Sequence, residues 1–239
     1  MKRFWEIDAL RGLAVVAMVL YHLSYDLWMF GVLEVSFTSG AGLWAGRTIG
    51  TTFIFLTGLS LTLSHARSPG GWGKYLRRGA GIFGYGMLIT LVTLVVLPET
   101  PIIFGVLHLI GASIILAYPF LNFRLLNVAL GLAVLLAGLG LYGSFAASVW
   151  LAPFGVAPPF FMPDYWPLLP YFGVVLLGIA AGNRLFSSAS PQRATRPAPA
   201  APLAFLALLG RNSLPIYLIH QPILVAALLL LGVGSLDAL

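Results

Sequence analysis

"EIDALRGLAVVAMVLYHLSYDL", residues 6–27, is apolar and long enough to cross a bilayer, yet it carries Arg11, His22 and Asp26. Crossing takes about 20 mostly apolar residues, and a charge at the bilayer centre costs about 2.5–3.5 kcal/mol on insertion scales. Three ionisable groups in one such run therefore call for an interior face, and the chain reads as a bundle built around something polar. At 100° per residue, Arg11 and His22 fall within about 20° of one another and about 16 Å apart along the axis. Asp26 lies one helical turn past His22, where side chains of a helix meet.

Composition agrees with a membrane solvent. Of the 239 residues 59% are hydrophobic and 8% charged, with a mean hydropathy of +0.96, whereas soluble domains carry roughly 25% charge. There is no cysteine, which removes disulfides, thiolate nucleophiles and Cys-based metal sites. A net charge of +6 reads as topology rather than nucleic-acid binding, because in such a chain the position of the cations outweighs their sum.

Seven runs read as spans: Leu10–Leu33, Ala41–Ser64, Gly79–Leu97, Ile102–Leu121, Leu125–Tyr142, Pro167–Gly182 and Leu214–Val233. The fold expected is an all-α polytopic bundle of about seven transmembrane helices. A shorter piece, Pro202–Leu209, reads either as the start of a bent last helix or as an interfacial segment. Cations fall on alternate connections: Lys2 and Arg3, then Arg67, Lys74, Arg77 and Arg78, then Arg124, then Arg184, Arg193, Arg196 and Arg211. The other connections hold Glu34, Glu99, Asp164 and Asp237 without Lys or Arg. By the positive-inside rule the N-terminus and the basic connections face the cytoplasm and the C-terminus lies outside.

Residues 1–239 read as one membrane domain without a cleavable signal. "FSSASPQRATRPAPAAP", residues 186–202, reads as a flexible cytoplasmic linker. "APFGVAPPFFMPDYWP", residues 152–167, mixes Pro with aromatics and reads as an ordered loop on the outer side. No internal repeat of the kind found in inverted-repeat transporters is visible.

The polar stripe of the first helix needs partners. Arg47 in the second run sits at the depth of Asp26, so an Asp26–Arg47 ion pair is one reading. Asp26 orienting His22 as a general base is the other, and both hold if Asp26 bridges the two. His108 in "FGVLHLIGASI" and His220 in "GRNSLPIYLIHQPIL" are also intramembrane. One such His reads as a hydrogen-bonded helix contact, whereas three in a small bundle point toward function. No two share the close spacing of a ligand pair, so no metal is expected, and His65 reads as a solvated interfacial residue. Asn212 or Ser213 can cap the last helix, with Pro215 in its first turn. Tyr217 and His220 are helical neighbours, and Pro222 bends the helix by freeing a carbonyl one turn back.

Four segments resemble a known family: "IDALRGLAVVAMVLYHL", "FIFLTGLSLTLSHAR", "GVLHLIG" and "LGRNSLPIYLIHQPIL". In this order they are similar to the transmembrane acyltransferase superfamily, which includes acyltransferase-3 proteins. They most resemble the small bacterial heparan-alpha-glucosaminide N-acetyltransferase-like members. The resemblance implies a helical bundle that moves an acyl group, acetyl by first expectation, from cytoplasmic acyl-CoA to a hydroxyl or amine across the membrane. The acceptor it implies is a sugar of the cell envelope, and the location a bacterial cytoplasmic membrane. Arg11 and His22 match the essential Arg and His of the first helix in acyltransferase-3 relatives. The lysosomal member has its functional His just before the Trp that opens helix 2, where "EVSFTSGAGLW", residues 34–44, has none; His22 is left to replace it.

Acyl transfer needs a base near neutral pH, a role suited to His with its unperturbed pKa of about 6.5. The catalytic candidates are His22, Asp26, His108 and His220. Arg11, Arg67, Arg77 and Arg78 are candidates to hold the phosphates of acetyl-CoA or another acyl-CoA, although loop cations also serve topology and membrane lipid headgroups. Arg47, Thr57, Ser60 and Tyr217 complete the expected polar pocket, where donors would meet the developing oxyanion. Two other classes fit the same stripe: a small-solute or proton-coupled transporter, and a non-catalytic membrane partner protein. A homo-oligomer fits each of them. Phosphate-binding loops and nucleophile elbows are absent from the sequence.

Overall fold

Gly105 and Pro119 decide how one of the expected spans is built. Helix geometry starts only after Gly105, and Pro119 lacks the N–H that would continue the ladder, so the expected run Ile102–Leu121 contains an α-helix of just 11 residues, Val106–Leu116. The structure, a computed structural model, describes residues 4–141, 144, 148–186 and 199–235.

Among the described residues the regular elements are all helical: α1 Trp5–Met29, α2 Gly40–Arg67, α3 Trp72–Val96, α4 Val106–Leu116, α5 Leu125–Gly140, α6 Leu168–Phe186, α7 Ala201–Arg211 and α8 Ser213–Leu230, with short 3-10 turns at Tyr118–Phe120 and Val149–Phe154. Helices α1, α2, α3, α6 and α8 are long and apolar enough to cross a membrane, while α4, α5 and α7 are apolar but shorter. At 1.5 Å per residue α1 is about 37 Å long, against about 16 Å for α4 and α7. The expected fourth and fifth spans are thus occupied by helices shorter than a full crossing. Pro202–Leu209 falls in a helix of its own, separated from α8 at Asn212. In the expected linker over 186–202, residues 187–198 lie outside the described residues, as do Lys2, Arg3, Tyr142 and Asp237.

The chain divides into two units, one of Met1–Phe53 with Ser190–Leu239 and the other of Ile54–Ala189, so α2 contributes to both. In the first unit α7 lies against the beginning of α1. A Cβ on Gly12 would run into the carbonyl oxygen of Leu206, and one on Gly210 into that of Asp8. Only glycine at both positions lets these backbones touch, the close approach by which helices associate in lipid. Along α1 the contacts with α7 run in reverse order, Gly12 with Leu206 and Asp8 with Gly210. Those with α8 run in the same order, His22 with His220 and Asp26 with Gln221. The chain reverses direction at Asn212, whose N–H closes α7 on the carbonyls of Leu208 and Leu209 and whose carbonyl accepts the first bond of α8, from Ile216.

The second unit repeats the device. Gly79 of α3 faces Gly111 of α4, Gly131 of α5 faces Gly173 of α6, and Gly58 and Gly178 bring α2 against α6. Around these crossings Ile54, Leu61, Leu109, Ile114, Leu176 and Ile179 are buried. The loop over residues 152–167 is ordered by its own packing: Ala152, Met162 and Trp166 are buried, Tyr165 Oη donates to the carbonyl of Ala152 at 2.9 Å, and the N–H of Trp166 donates to the carbonyl of Phe104 at 3.2 Å. The turn between α4 and α5 is held by two amides. Asn127 Nδ2 donates to the carbonyls of Phe120 and Phe123, and Asn183 Nδ2 to those of Leu121 and Phe123.

Candidate functional site

The polar stripe of α1 meets α8. The ring of His22 stands edge-on to that of His220, with centroids 4.8 Å apart. Asp26 is fully buried, at 0% exposure, and its Oδ1 accepts a hydrogen bond from Gln221 Nε2 at 2.6 Å. The carboxylate is thus bound to Gln221, neither to His22 nor to Arg47 as expected. Equal depth made Arg47 plausible, but α8 lies along the stripe and offers an amide at the level of Asp26.

The hydrogen bond of His220 fixes its chemistry. Its Nδ1 lies 2.7 Å from the carbonyl oxygen of Tyr217. A carbonyl only accepts, so Nδ1 carries the proton and donates, and Nε2 of the neutral ring keeps the lone pair. That Nε2 is buried without a hydrogen-bond partner, and so are Oδ2 of Asp26 and Oε1 of Gln221. Buried polar atoms nearly always find partners, and these three acceptors lie on the two facing helices α1 and α8. Tyr217 contributes its carbonyl and a ring 5.7 Å from that of His220.

Aromatic rings line the α1 side. Tyr21 packs edge-on to His22 at 5.5 Å, and Phe37 touches Tyr21, Tyr25 and Trp28 at 5.3–5.8 Å. Gly46 makes room for the Tyr21 ring on α2, one residue before the half-buried Arg47. Phe37 thus fills, with an apolar ring, part of the stretch before Trp44 in which the resemblance places a histidine.

At the other end of the stripe Arg11 Nη1 pairs with Asp8 Oδ1 at 3.3 Å, and Arg211 Nε of α7 reaches Asp8 Oδ2 at 3.4 Å. Two guanidiniums, one from α1 and one from α7, share the Asp8 carboxylate, and Glu6 stands in the same first turn of α1. Arg11 is therefore both paired, as its spacing from Asp8 suggests, and part of a group that includes a residue of the last connection.

His108 has a different environment, in the second unit. It is 1% exposed, and its Nδ1 accepts from the N–H of Gly105 at 3.1 Å. Its Nε2 must then hold the proton and donate to Thr90 Oγ1 at 3.3 Å, and the Thr90 hydroxyl in turn donates a hydrogen bond to the carbonyl of Ile102 at 2.6 Å. Phe83 and Phe104 pack against the ring at 5.0 and 5.5 Å. Asp164 Oδ2 accepts from the N–H of Val106 at 3.0 Å, so two side chains satisfy the opening N–H groups of α4. Both nitrogens of His108 are engaged, Nδ1 closing the start of α4 and Nε2 tying α4 to Thr90 of α3, and its tautomer is the reverse of that in His220.

The remaining candidates also fall in the second unit. Thr57 and Ser60 flank Gly58 where α2 crosses α6, and Arg67 closes α2. His65 Nδ1 lies 2.7 Å from Tyr75 Oη, a buried contact partner instead of the solvent expected for it. Arg77 and Arg78 stand on α3. Among the described residues no three His, Asp or Glu side chains are grouped to hold a metal ion. Gln221 is the site residue that sequence reasoning missed; its signal is an amide in an apolar span beside His220.

Comparison with known proteins gives one family. Residues 3–222 match the family described as heparan-alpha-glucosaminide N-acetyltransferase, catalytic. No curated protein and no solved structure matches the chain significantly. The match covers nearly the whole bundle, including α1, the α7–α8 reversal and His220: the chain belongs to the heparan-alpha-glucosaminide N-acetyltransferase catalytic-domain family, a family of membrane acetyltransferases.

Proposed function

We propose that the chain is a membrane acyltransferase that takes an acetyl group from cytoplasmic acetyl-CoA and passes it to a hydroxyl or amine of a saccharide on the far side of a bacterial cytoplasmic membrane. The observation that carries this reading is the His22–His220 pair, with the lone-pair nitrogen Nε2 of His220 buried and without a hydrogen-bond partner between two helices long and apolar enough to cross a membrane. Family membership supports the acetyl group and the sugar.

In this reading Nε2 of His220 removes the proton of the acceptor hydroxyl or amine as that atom attacks the thioester carbonyl carbon. The new C–O or C–N bond forms, the C–S bond breaks, and coenzyme A leaves as the thiolate, which takes up the proton. His22, edge-on to His220, relays that proton, and Asp26 supplies the negative charge that steadies the imidazolium while Gln221 holds it on α8. Arg11 and Arg211 around Asp8 offer the donor's phosphates a charge-assisted landing site. His108 acts in this reading as a structural tie of α3 to α4. The N-terminus and the basic connections face the cytoplasm, as their cations prescribe.

The test of the donor half is calorimetric titration of acetyl-CoA into the purified chain in detergent, against Arg11→Ala. Saturable binding weakened by that change supports the reading. Absence of binding by folded wild-type protein removes it and favours transport, for which uptake into vesicles without acyl-CoA is the counter-test.

A further inference from the structure

The outward face of α3 is amphipathic along its length rather than around its circumference. Lys74, Arg77, Arg78, Gly81, Ile82 and Tyr85 line a shallow, open surface patch. Beyond it Leu88, Val92 and Val96 are exposed, at 53%, 52% and 57%. On a helical net Lys74, Arg78, Gly81, Tyr85, Leu88, Val92 and Val96 fall within an arc of about 80°. Cations occupy one end of this strip and apolar side chains the other. Gly81 lies between them with nothing within 4 Å of the position of a Cβ, so the middle of the strip is open and carries no side chain.

We infer that this face of α3 binds an anionic phospholipid, its phosphate held by Lys74, Arg77 and Arg78 and one acyl chain lying over Gly81 and along Leu88, Val92 and Val96. Charge and length both select this occupant. From Arg78 to Val96 is about 27 Å of helix, a length for a fatty chain and far more than an acetyl thioester needs. A second copy of the chain packed on the same strip about a two-fold axis would bring three cations against three, whereas a phosphodiester neutralises them. The binding of a lipid here is independent of acyl transfer and stands whether or not the chain is an enzyme.

The preference is read by native mass spectrometry of the full chain released from detergent, with phosphatidylglycerol or phosphatidylcholine of identical chains added. Each cation near a headgroup contributes about fivefold in affinity, so three give a preference on the order of a hundredfold for the anionic lipid. Wild type is expected to keep phosphatidylglycerol selectively, and the triple variant Lys74→Gln, Arg77→Gln, Arg78→Gln to lose the selectivity. Gly81→Leu, which adds a side chain into open space, is expected to weaken retention of both lipids with the cations intact. Equal retention of the two lipids by wild type, or undiminished selectivity in the triple variant, would overturn the inference. So would displacement of phosphatidylglycerol by added coenzyme A, which would assign the three cations to the donor, or a lipid-insensitive dimer lost in Gly81→Leu.

Discussion

Removing the amide of Gln221 tests how α1 and α8 are held together. Asp26 has 0% exposure and receives one hydrogen bond, from Gln221 Nε2 at 2.6 Å, while its second oxygen has no hydrogen-bond partner. Gln221→Leu deletes that bond and strands a carboxylate, whereas Gln221→Leu with Asp26→Leu replaces both partners by apolar groups. Stranding a buried polar group costs about 1–3 kcal/mol, and replacing both partners together is close to neutral. Interhelical hydrogen bonds in membranes couple by about 0.6 kcal/mol on average and about 1.7 at most, because the unfolded chain in lipid also finds partners. The short distance and full burial put this pair at the upper end, and the expected coupling energy is about 1.5 kcal/mol. The assay is a double-mutant cycle of wild type, the two single variants and the double variant, unfolded reversibly in mixed micelles. A coupling energy of about 0.3 kcal/mol or less, below the average for such bonds, would refute the claim that this bond fastens the pair.

Further outcomes follow from the same geometry. His220→Ala is expected to lower acetyl transfer by about 10²- to 10⁴-fold, the usual contribution of a positioned base, with the CD spectrum and melting temperature kept as folding controls. His108→Leu should instead lower thermal stability by about 1–3 kcal/mol, because the N–H of Gly105 loses its acceptor, and leave specific activity per folded molecule unchanged. Gly210→Leu places a side chain against the backbone carbonyl of Asp8, which cannot move aside as a side chain could. A loss of about 1–3 kcal/mol from overpacking should appear as a lower unfolding midpoint in detergent.

The helical period alone puts Arg11, His22 and Asp26 on one face, and that face is where the structure gathers His220 and Gln221. Which helix meets the face is not in the period. Arg47 and Gln221 are both polar residues in apolar runs, and depth in the membrane ranks them equally; the reversal at Asn212 brings Gln221 alongside. His108 looks like His220 in the sequence, a lone histidine in an apolar helix. What separates them is the acceptor or donor each Nδ1 finds, a carbonyl for His220 and the N–H of Gly105 for His108, and no pattern of residue types carries that information. The short α4 was legible in Gly105 and Pro119, yet a hydropathy run passes over both because neither residue is charged. The glycines that close each helix pair are scattered in the chain and become legible only once Gly12 is seen against Gly210 and Gly79 against Gly111.

The most direct measurement places acetyl-CoA carrying a labelled acetyl group outside vesicles that contain the purified chain and enclose glucosamine. The account predicts labelled N-acetylglucosamine inside vesicles of wild type and its loss in those of His220→Ala and His22→Ala. Folded wild-type protein that traps no labelled sugar, or His220→Ala protein that transfers acetyl groups at the wild-type rate, would contradict it.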